Sequence, residues 1–289
     1  MANSQENSRE SLLVTVEELL ALGSDCLVVD ARPFKEFQRG HIPGAVHVGW
    51  EDWNEKAPDR VRPILHQPGY WGKLANLEMP VYVDKFRKLG VDRDRPVVVY
   101  AGGRSSKGRE GRVAWMLIYA GVKQVAMLDG GLKAWKRSSL PLQTEIQNPG
   151  SSSFVPELKQ ERRILHQDLT ALIDTDQFPR MIDTRSEDEF SGKRFWYQPK
   201  KGRIPDAHLV VFNDVFTSDG HSFIGEETYK SLLPEGYQSL RNIGTYCEVG
   251  VRTCTVALLH EHYTGTILPV YDGSIMEWTF DNELPILTI

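Results

Sequence analysis

Length, composition and charge narrow the classes of protein to which this chain can belong. With 289 residues, 40% of them hydrophobic and 25% charged, the chain is long enough for two domains with hydrophobic cores. The net charge of −5 argues against a general nucleic-acid binder, and no stretch approaches the roughly 20 apolar residues that span a bilayer. An odd number of cysteines does not form a disulfide framework, and the first residues lack an apolar secretory signal, so we expect a cytoplasmic setting.

The first half of the chain alternates strand and helix patterns. Short β-branched or apolar runs at residues 27–29, 96–100 and 125–128 predict buried strands, because turn residues bound the runs. Residues 113–119 predict an apolar helix that ends at Gly121. Such alternation is typical of α/β domains in which helices cover both faces of a parallel sheet.

One segment of the first half does not follow this alternation. Residues 50–76 are rich in proline and tryptophan and show no clear strand or helix pattern. Long connections in compact domains often carry function. We therefore expect this segment to pack on another domain or to edge an active pocket.

A polar linker divides the chain. The sequence Asn148-Pro149-Gly150-Ser151-Ser152-Ser153 combines breaker and small polar residues, as connections between domains do. We predict a first domain at residues 9–142, a linker at 143–159 and a second domain at 160–289.

The second half repeats the motifs of the first at a period of about 150 residues, which indicates duplicated domains because solenoid repeats are much shorter. An Asp-x-Arg triplet, a Glu-Phe pair, a Gly-x-Ile-Pro turn, and an Asp-Gly pair whose aspartate stands six residues before a tryptophan each occur once in either half. The repeated segments are Asp30-Ala31-Arg32 and Asp183-Thr184-Arg185, Glu36-Phe37 and Glu189-Phe190, Gly40-His41-Ile42-Pro43 and Gly202-Arg203-Ile204-Pro205, and Asp129-Gly130 and Asp272-Gly273. We expect two α/β domains of the same fold.

A cysteine of the second half has the surroundings of a nucleophile. Cys247 follows the apolar run 243–246 and precedes the helix-competent segment 253–259, so it lies beyond the carboxyl end of a strand, where α/β sites form. The free N–H groups and positive dipole of the helix start favour thiolate over thiol. Arg252 adds a fixed positive charge, and the hydroxyl of Thr253 is expected to cap the helix or to face the sulfur.

The other cysteines and the histidines have simpler interpretations. Cys26 and Cys254 lie among apolar residues and are predicted to fill the core. His260 and His262 follow in the helix after the loop and are predicted to lie at the surface. No histidine is clustered with cysteines at zinc spacing, so we expect no metal site.

These motifs together resemble the tandem-domain rhodanese family of sulfurtransferases, of the thiosulfate and 3-mercaptopyruvate type, over nearly the whole chain. The resemblance lies in the doubled motifs above, in Gly-His-Ile-Pro-Gly-Ala at 40–45, and in the loop that opens at Cys247. It implies two rhodanese-like domains and a two-step transfer without a cofactor. The Cys247 thiolate would take sulfur from a small anionic donor, thiosulfate or 3-mercaptopyruvate, and pass it as a persulfide to cyanide, a thiol or an acceptor protein.

The resemblance also assigns roles within the loop and to the first copy. Successive N–H groups of Glu248, Val249, Gly250, Val251 and Arg252 would stabilise the persulfide anion. In the first copy, alignment through Tyr100 puts Ala101 at the cysteine position, and the following loop, 102–108, is longer. The first domain is therefore predicted to be catalytically inactive and to help wall the cleft.

Loop length and loop residues bear on the substrate. Arg252 follows Cys247 after four residues, whereas the related phosphatases have five, so the tighter loop favours sulfur over phosphate. Glu248 and Val249 match neither the cationic pair of thiosulfate-type loops nor the serine of the mercaptopyruvate type. Glu248 should repel a dianion while Arg252 and Arg185 should attract it, and the choice of donor stays open.

Several assignments keep two alternatives. Arg185 either binds substrate or is structural, paired with Glu189 or another acidic neighbour. The basic stretch 193–203, with Arg194 as its strongest candidate, either steers anions and docks an acidic carrier or is a solvated loop. For the whole protein, the alternatives to a sulfurtransferase are a sulfur-carrier or sensing module and a cysteine-dependent phosphatase or arsenate reductase.

Overall fold

The computed structural model describes residues 11–65, 70–196 and 198–288, and its strands and helices form two sets with the same order. The predicted outer limits of the two domains, residues 9 and 289, lie outside the described residues. In the first set the strands are β1 Leu13–Val14, β2 Leu27–Asp30, β3 Val46–His47, β4 Val97–Tyr100 and β5 Val125–Leu128. The helices are α1 Val16–Leu22, α2 Phe34–Arg39, α3 Pro80–Lys88, α4 Arg109–Tyr119 and α5 Gly131–Arg137.

The second set repeats this arrangement. Its strands are β6 Arg163–Ile164, β7 Arg180–Asp183, β8 His208–Leu209, β9 Ile243–Tyr246 and β10 Val270–Tyr271. Its helices are α6 His166–Thr170, α7 Glu187–Ser191, α8 Glu226–Ser231, α9 Arg252–Thr264 and α10 Ser274–Phe280. The predicted repeat is thus a repeat of whole domains.

Each domain contains a five-stranded parallel sheet, with the orders β1-β5-β4-β2-β3 and β6-β10-β9-β7-β8. The registers correspond as well: Asp30 lies opposite Tyr100 in the first sheet, and Asp183 lies opposite Tyr246 in the second. The three predicted strands of the first half are confirmed, and the predicted helix begins earlier, at Arg109. The first turn of this helix is polar, so the apolar pattern did not indicate where the helix begins.

Both faces of the sheets are buried, as the β-branched runs indicate. In β4, Val97 and Val99 belong to one hydrophobic cluster, while the alternating Val98 and Tyr100 belong to another. The larger cluster continues through α4 into α9 and therefore includes both domains. The two copies share one core, which places the loop before α9 against the first domain.

Helices α4 and α9 make the central contact between the domains. They approach closely at Gly111, where an added Cβ would lie 2.1 Å from Thr255 Oγ1 and 2.5 Å from Thr255 Cα. Only glycine permits this separation, because any side chain at position 111 would push the helices apart.

Each domain also sends a connection onto the other. The described part of segment 50–76 crosses to the second domain, where the N–H of Leu74 donates to Asp272 Oδ2 at 2.5 Å. Conversely, the N–H of Phe223 donates to Asp129 Oδ1 at 2.8 Å. Asp129 and Asp272 are the two aspartates of the repeated Asp-Gly pairs, so the exchange is reciprocal. The expectation that this irregular segment packs on the other domain is confirmed.

The predicted linker follows the surface of the first domain. Its first residue, Gln143, bridges to His41, and further along the backbone N–H of Glu157 donates to Ala120 O at 2.9 Å. The ring of Phe154 also packs on Phe86 at 5.3 Å between centroids. Among the described residues, no helix is long and apolar enough to cross a membrane.

Candidate active site

Cys247 occupies the turn between β9 and α9, beyond the carboxyl end of the central strand of the second sheet. The residue is 1% exposed and is a free cysteine. Strand β9 fixes its position through Tyr246, whose hydroxyl accepts the N–H of Ile204 at 3.1 Å. The predicted strand–cysteine–helix arrangement is therefore present.

The sulfur receives a backbone hydrogen bond from within its own loop. The N–H of Gly250 donates to Cys247 Sγ at 3.1 Å. Gly250 has φ +76°, and a Cβ at this position would lie 2.3 Å from the carbonyl oxygen of Asp272. Glycine is thus required both by the turn and by the neighbouring backbone. This geometry favours an anionic sulfur, because an N–H donor stabilises thiolate more than thiol.

A second anchor joins the loop to α10. Ser274 Oγ accepts the N–H of Cys247 at 3.1 Å and donates to Tyr271 O at 2.9 Å. The carbonyls of Cys247 and Glu248 accept the N–H groups of Ile275 and Met276 at 3.2 and 3.1 Å. Sequence reasoning assigned no role to Ser274, although it follows the repeated Asp272-Gly273 pair, and that repetition was the available signal.

Arg252, predicted to attract the donor, is engaged by a carboxylate of the protein. Its two terminal nitrogens donate to Glu189 at 2.8 and 2.9 Å, so of the two acidic partners considered for Arg185, Glu189 bonds to Arg252 and Asp183 bonds to Arg185. Glu189 also accepts the N–H and the hydroxyl of Ser186, in the capping box of α7. Burial alone would raise the pKa of Glu189, but the Arg252 guanidinium lowers that pKa to about 2. The ionised carboxylate of Glu189 therefore neutralises the charge of the Arg252 guanidinium.

Glu248 lies beside this pair without a comparable partner. Its Oε2 is 3.7 Å from Arg252, and its Oε1 is buried with no hydrogen bond among the described residues. Burial raises the pKa of Glu248, and the Arg252 guanidinium opposes that rise. The Arg252 guanidinium thus lies between two carboxylates, those of Glu189 and Glu248.

Arg185 has a structural environment. It is fully buried, donates to both oxygens of Asp183 at 2.6 to 3.1 Å, and reaches the carbonyl of Gly202 at 2.8 Å. Its repeat equivalent, Arg32, makes the same contacts with Asp30 and Gly40 in the domain that lacks the thiol. The structural alternative for Arg185 is therefore favoured, since both copies use this arginine in one way.

The remaining loop residues are enclosed. Val249 and Val251 are each 6% exposed, and the carbonyl of Val249 lies so close to Gly72 that a Cβ there would be 1.6 Å away. The hydroxyl of Thr253 pairs with that of Thr245 at 2.6 Å, and α9 has no side-chain cap, so the predicted capping role of Thr253 is wrong. The Thr253 hydroxyl bonds to Thr245 of strand β9 and not to the N–H groups at the start of α9.

The basic stretch 193–203 divides into engaged and exposed residues. Lys200 donates to three carbonyls near the chain end, and the Arg203 guanidinium lies 4.5 Å from the centre of the Phe190 ring. Arg194 is exposed and packs over Trp196 at 5.4 Å, and its N–H bonds to Asp188 O. Part of the stretch is therefore structural, whereas Arg194 faces the exterior.

Two of the simpler predictions are confirmed and one is wrong. Cys26 and Cys254 are buried, and burial raises the pKa of the Cys254 thiol to about 12, so this thiol keeps its proton and donates to Gly250 O. His260 is fully buried rather than at the surface, and burial lowers its pKa to about 4. Every residue of α9 from Thr253 to His260 is buried, which the polar residues of its sequence did not reveal.

The first domain has the same backbone arrangement around Ala101. The carbonyl of Ala101 accepts the N–H of Leu132 at 3.1 Å, as that of Cys247 accepts Ile275 in the second domain. After Ala101 the chain forms the 3-10 turn Gly103–Ser106 before α4 begins. Ala101 is thus the spatial equivalent of Cys247, and a methyl group replaces the thiol.

Comparison with known proteins agrees with this geometry. The Rhodanese-like domain family matches residues 15–138 and 165–281. A thiosulfate sulfurtransferase of Gallus gallus is 27% identical over 86% of this chain and 81% of its own length. A protein of Pseudomonas aeruginosa named "Probable 3-mercaptopyruvate sulfurtransferase" is 30% identical over 96% of this chain and 98% of its own length.

A solved structure shows the same fold. The 3-mercaptopyruvate sulfotransferase SseA from Escherichia coli superposes with a TM-score of 0.75 at 21% identity, over 91% of this chain and 98% of that one. The chain belongs to the rhodanese-like family and carries the domain of that family twice.

Proposed function

We propose that this protein is a sulfurtransferase that carries sulfur as a persulfide on Cys247. The observation that carries the proposal is the N–H of Gly250, which donates to Cys247 Sγ at 3.1 Å in the loop ahead of α9. A hydrogen-bond donor that the backbone holds at this place stabilises the Cys247 thiolate before it takes up sulfur and the persulfide anion afterwards. The names of the relatives, thiosulfate and 3-mercaptopyruvate sulfurtransferases, support the reaction class.

The reaction has two displacements. The Cys247 thiolate attacks the outer sulfur of thiosulfate or the single sulfur of 3-mercaptopyruvate, and a new sulfur–sulfur bond forms. The sulfur–sulfur bond of thiosulfate or the carbon–sulfur bond of 3-mercaptopyruvate breaks, and sulfite or the enolate of pyruvate leaves with the bonding electrons. The nucleophilic acceptor then attacks the terminal sulfur, and the Cys247 thiolate leaves. Cyanide becomes thiocyanate and a thiolate becomes a persulfide, so no oxidant is needed. Covalent catalysis of this kind replaces one difficult transfer by two easier ones.

The loop residues share the work of holding the sulfur. We assign the N–H groups of Glu248, Val249, Gly250, Val251 and Arg252 to the persulfide anion. Arg185 and Thr253 support the loop from beneath, through Asp183 and Thr245. Glu189 already forms an ion pair with the Arg252 guanidinium. We therefore assign Arg252 mainly a structural role in the loop, and less the role of attracting a free anion.

The domains and partners follow from the same assignment. We place catalysis in residues 160–289, and we assign residues 9–142 to support of the active loop and 143–159 to the connection.

We propose a thiol, cyanide or a sulfur-acceptor protein as acceptor, and Arg194 beside Trp196 as an exposed contact for such a protein. The free, buried cysteines fit a reducing, cytoplasmic compartment.

The test is the intact mass of the protein after incubation with thiosulfate or 3-mercaptopyruvate. The expected result is a gain of one sulfur atom that cyanide removes, and the control is Cys247→Ser, which should gain none. Failure of the native protein to gain sulfur from either donor would refute the proposal.

Two further assays on the same purified protein distinguish a sulfurtransferase from a sulfur carrier and from a phosphatase. Repeated turnover to thiocyanate distinguishes an enzyme from a carrier or sensing module, which would release its sulfur once. Phosphatase activity is disfavoured because Glu189 engages both terminal nitrogens of the Arg252 side chain that an oxyanion would need. Hydrolysis of a phenyl phosphate that is lost in Cys247→Ser would reverse this preference.

A further inference from the structure

The first domain contributes a buried arginine to the active loop of the second. Arg112 on α4 is 1% exposed, and its Nη1 donates to the carbonyl of Gly250 at 3.1 Å. Its Nη2 donates to Gly72 O at 2.5 Å and to Asn54 Oδ1 at 3.0 Å. A guanidinium is planar and rigid, so these bonds fix Gly250 relative to the first domain.

Among the described residues, Asp272 is the one carboxylate that pairs with the Arg112 guanidinium, and the pair is a long one. Asp272 Oδ2 is 4.0 Å away, and this carboxylate already accepts from Arg163 and from the N–H of Leu74. A buried charge is costly unless it is bonded, and here the partners are mainly carbonyl and amide oxygens. The arginine therefore depends on the carbonyl of Gly250 as much as the loop depends on the arginine.

The carbonyl held by Arg112 belongs to the residue whose N–H meets the nucleophile. Gly250 donates to Cys247 Sγ through its nitrogen, while its oxygen accepts from Arg112 and from the Cys254 thiol, also at 3.1 Å. Glycine has wide rotational freedom, so an unrestrained Gly250 would turn its N–H away from the sulfur. Contacts on the oxygen side restrict that rotation.

We propose that Arg112 is a positioning residue through which the first domain, which has Ala101 in place of the nucleophile, orients the Gly250 N–H toward the reacting sulfur. The inference rests on the proposed function, because it concerns the stabilisation of the Cys247 thiolate and persulfide. It assigns the first domain a part in the chemistry beyond that of a wall of the cleft.

The test compares Arg112→Met and Arg112→Lys with the matched control Arg109→Met. Arg109 lies on the same helix, but its guanidinium pairs with Glu51 of the first domain. For each variant, thiocyanate formation from 3-mercaptopyruvate and cyanide is measured together with thermal unfolding. The pH dependence of alkylation by iodoacetamide is followed by mass spectrometry of the peptide that contains Cys247, with Cys254 left in place because its thiol also bonds the carbonyl of Gly250.

For Arg112→Met we expect a roughly tenfold lower kcat with KM within about twofold, because a misaimed donor stabilises the charged sulfur less. We also expect the midpoint of the alkylation profile to move to higher pH. Arg112→Lys, which retains a charged donor, should recover part of both losses, and Arg109→Met should match the parent protein.

A folded Arg112→Met protein with the parent kcat and the parent alkylation midpoint would overturn the inference. If Arg112→Met does not fold, Arg112→Lys decides by the same two readouts. Persulfide formation in the parent protein tests the proposed function separately. If the parent forms the persulfide and the Arg112 variants leave both readouts unchanged, only the positioning role fails.

Discussion

Glu189 holds both terminal nitrogens of Arg252, at 2.8 and 2.9 Å, although the two residues are 63 positions apart. The pair connects the start of α9 to α7 directly behind the cysteine loop. Because the Glu189 side chain is only 4% exposed, its charge is screened little by water. Loss of Glu189 would leave Arg252 with the more distant carboxylate of Glu248, 3.7 Å away, and loss of Arg252 would leave the buried Glu189 without its cation.

The first prediction concerns the stability that this pair supplies. We expect Glu189→Gln to lower the free energy of unfolding by about 2–3 kcal/mol, because it leaves the Arg252 cation without its main partner. Urea denaturation at pH 7 measures the loss. Glu187→Gln, on the exposed side of the same helix, is the control and should change stability by less than about 0.5 kcal/mol.

The second prediction concerns acid. The pKa of Glu189 is about 2 in the folded protein, below the value of about 4.3 for an unfolded glutamate. A lowered pKa contributes stability that is present above about pH 4.3 and is lost as the pH falls toward 2. The parent protein should therefore lose more stability over this interval than Glu189→Gln does. Parallel pH dependences of the two proteins in urea denaturation would contradict this.

The third prediction concerns the choice of donor. Glu248→Gln removes a negative charge next to Cys247, so it should help the doubly charged thiosulfate more than the singly charged carboxylate of 3-mercaptopyruvate. We expect kcat/KM to rise roughly tenfold for thiosulfate and about threefold for 3-mercaptopyruvate, since the repulsion scales with the product of charges. Glu227→Gln, exposed on α8, is the control. Equal gains for both donors would exclude a charge effect.

The fourth prediction uses the repeat as an internal control. Arg32 and Arg185 make equivalent bonds to Asp30 and Asp183. We expect Arg32→Lys and Arg185→Lys to destabilise the protein to a similar degree, by about 2–3 kcal/mol, because lysine cannot form the two-pronged bond. Donor KM values measured below the unfolding range should be alike in both variants. A KM that rises only in Arg185→Lys would show that this arginine binds the donor.

The fifth prediction concerns the contact between Gly72 and the active loop. A Cβ at position 72 would lie 1.6 Å from the carbonyl oxygen of Val249, so Gly72→Ala must displace one of the two segments. We expect at least a tenfold slower rate of persulfide formation, followed by intact mass, because the loop loses its N–H alignment. Gly225→Ala is the control, since nothing lies within 4 Å of a Cβ there. Unchanged loading in Gly72→Ala would mean that the loop tolerates displacement.

Much of this molecule is predictable from local pattern. The strands that carry Tyr100 and Tyr246 are short apolar runs between turn residues, and the doubled motifs specify two similar domains. The position of Cys247 after such a strand also follows from the chain alone. These features depend on neighbours in sequence, and hydrophobic patterning encodes them directly.

The contacts that complete the site are not predictable in this way. The partner of Arg252 lies on another helix of the same domain, and the partner of Arg112 lies in the other domain, each far away in sequence. Arg112 lies in the polar first turn of α4, just before the apolar run 113–119, and nothing in that local pattern indicates a buried partner. The sequence pattern of α9 likewise gave no sign that His260 is enclosed, because the covering surface belongs to distant segments.

The reciprocal bonds from Leu74 to Asp272 and from Phe223 to Asp129 couple the unfolding of the two copies. If either domain opened alone, it would remove one hydrogen-bond donor from an aspartate of the other and would expose the shared apolar core. Heat or urea should therefore produce a single cooperative transition, even though the chain holds two domains. Loss of the thiol from the first copy does not make that copy dispensable, because the thermodynamic unit is the pair.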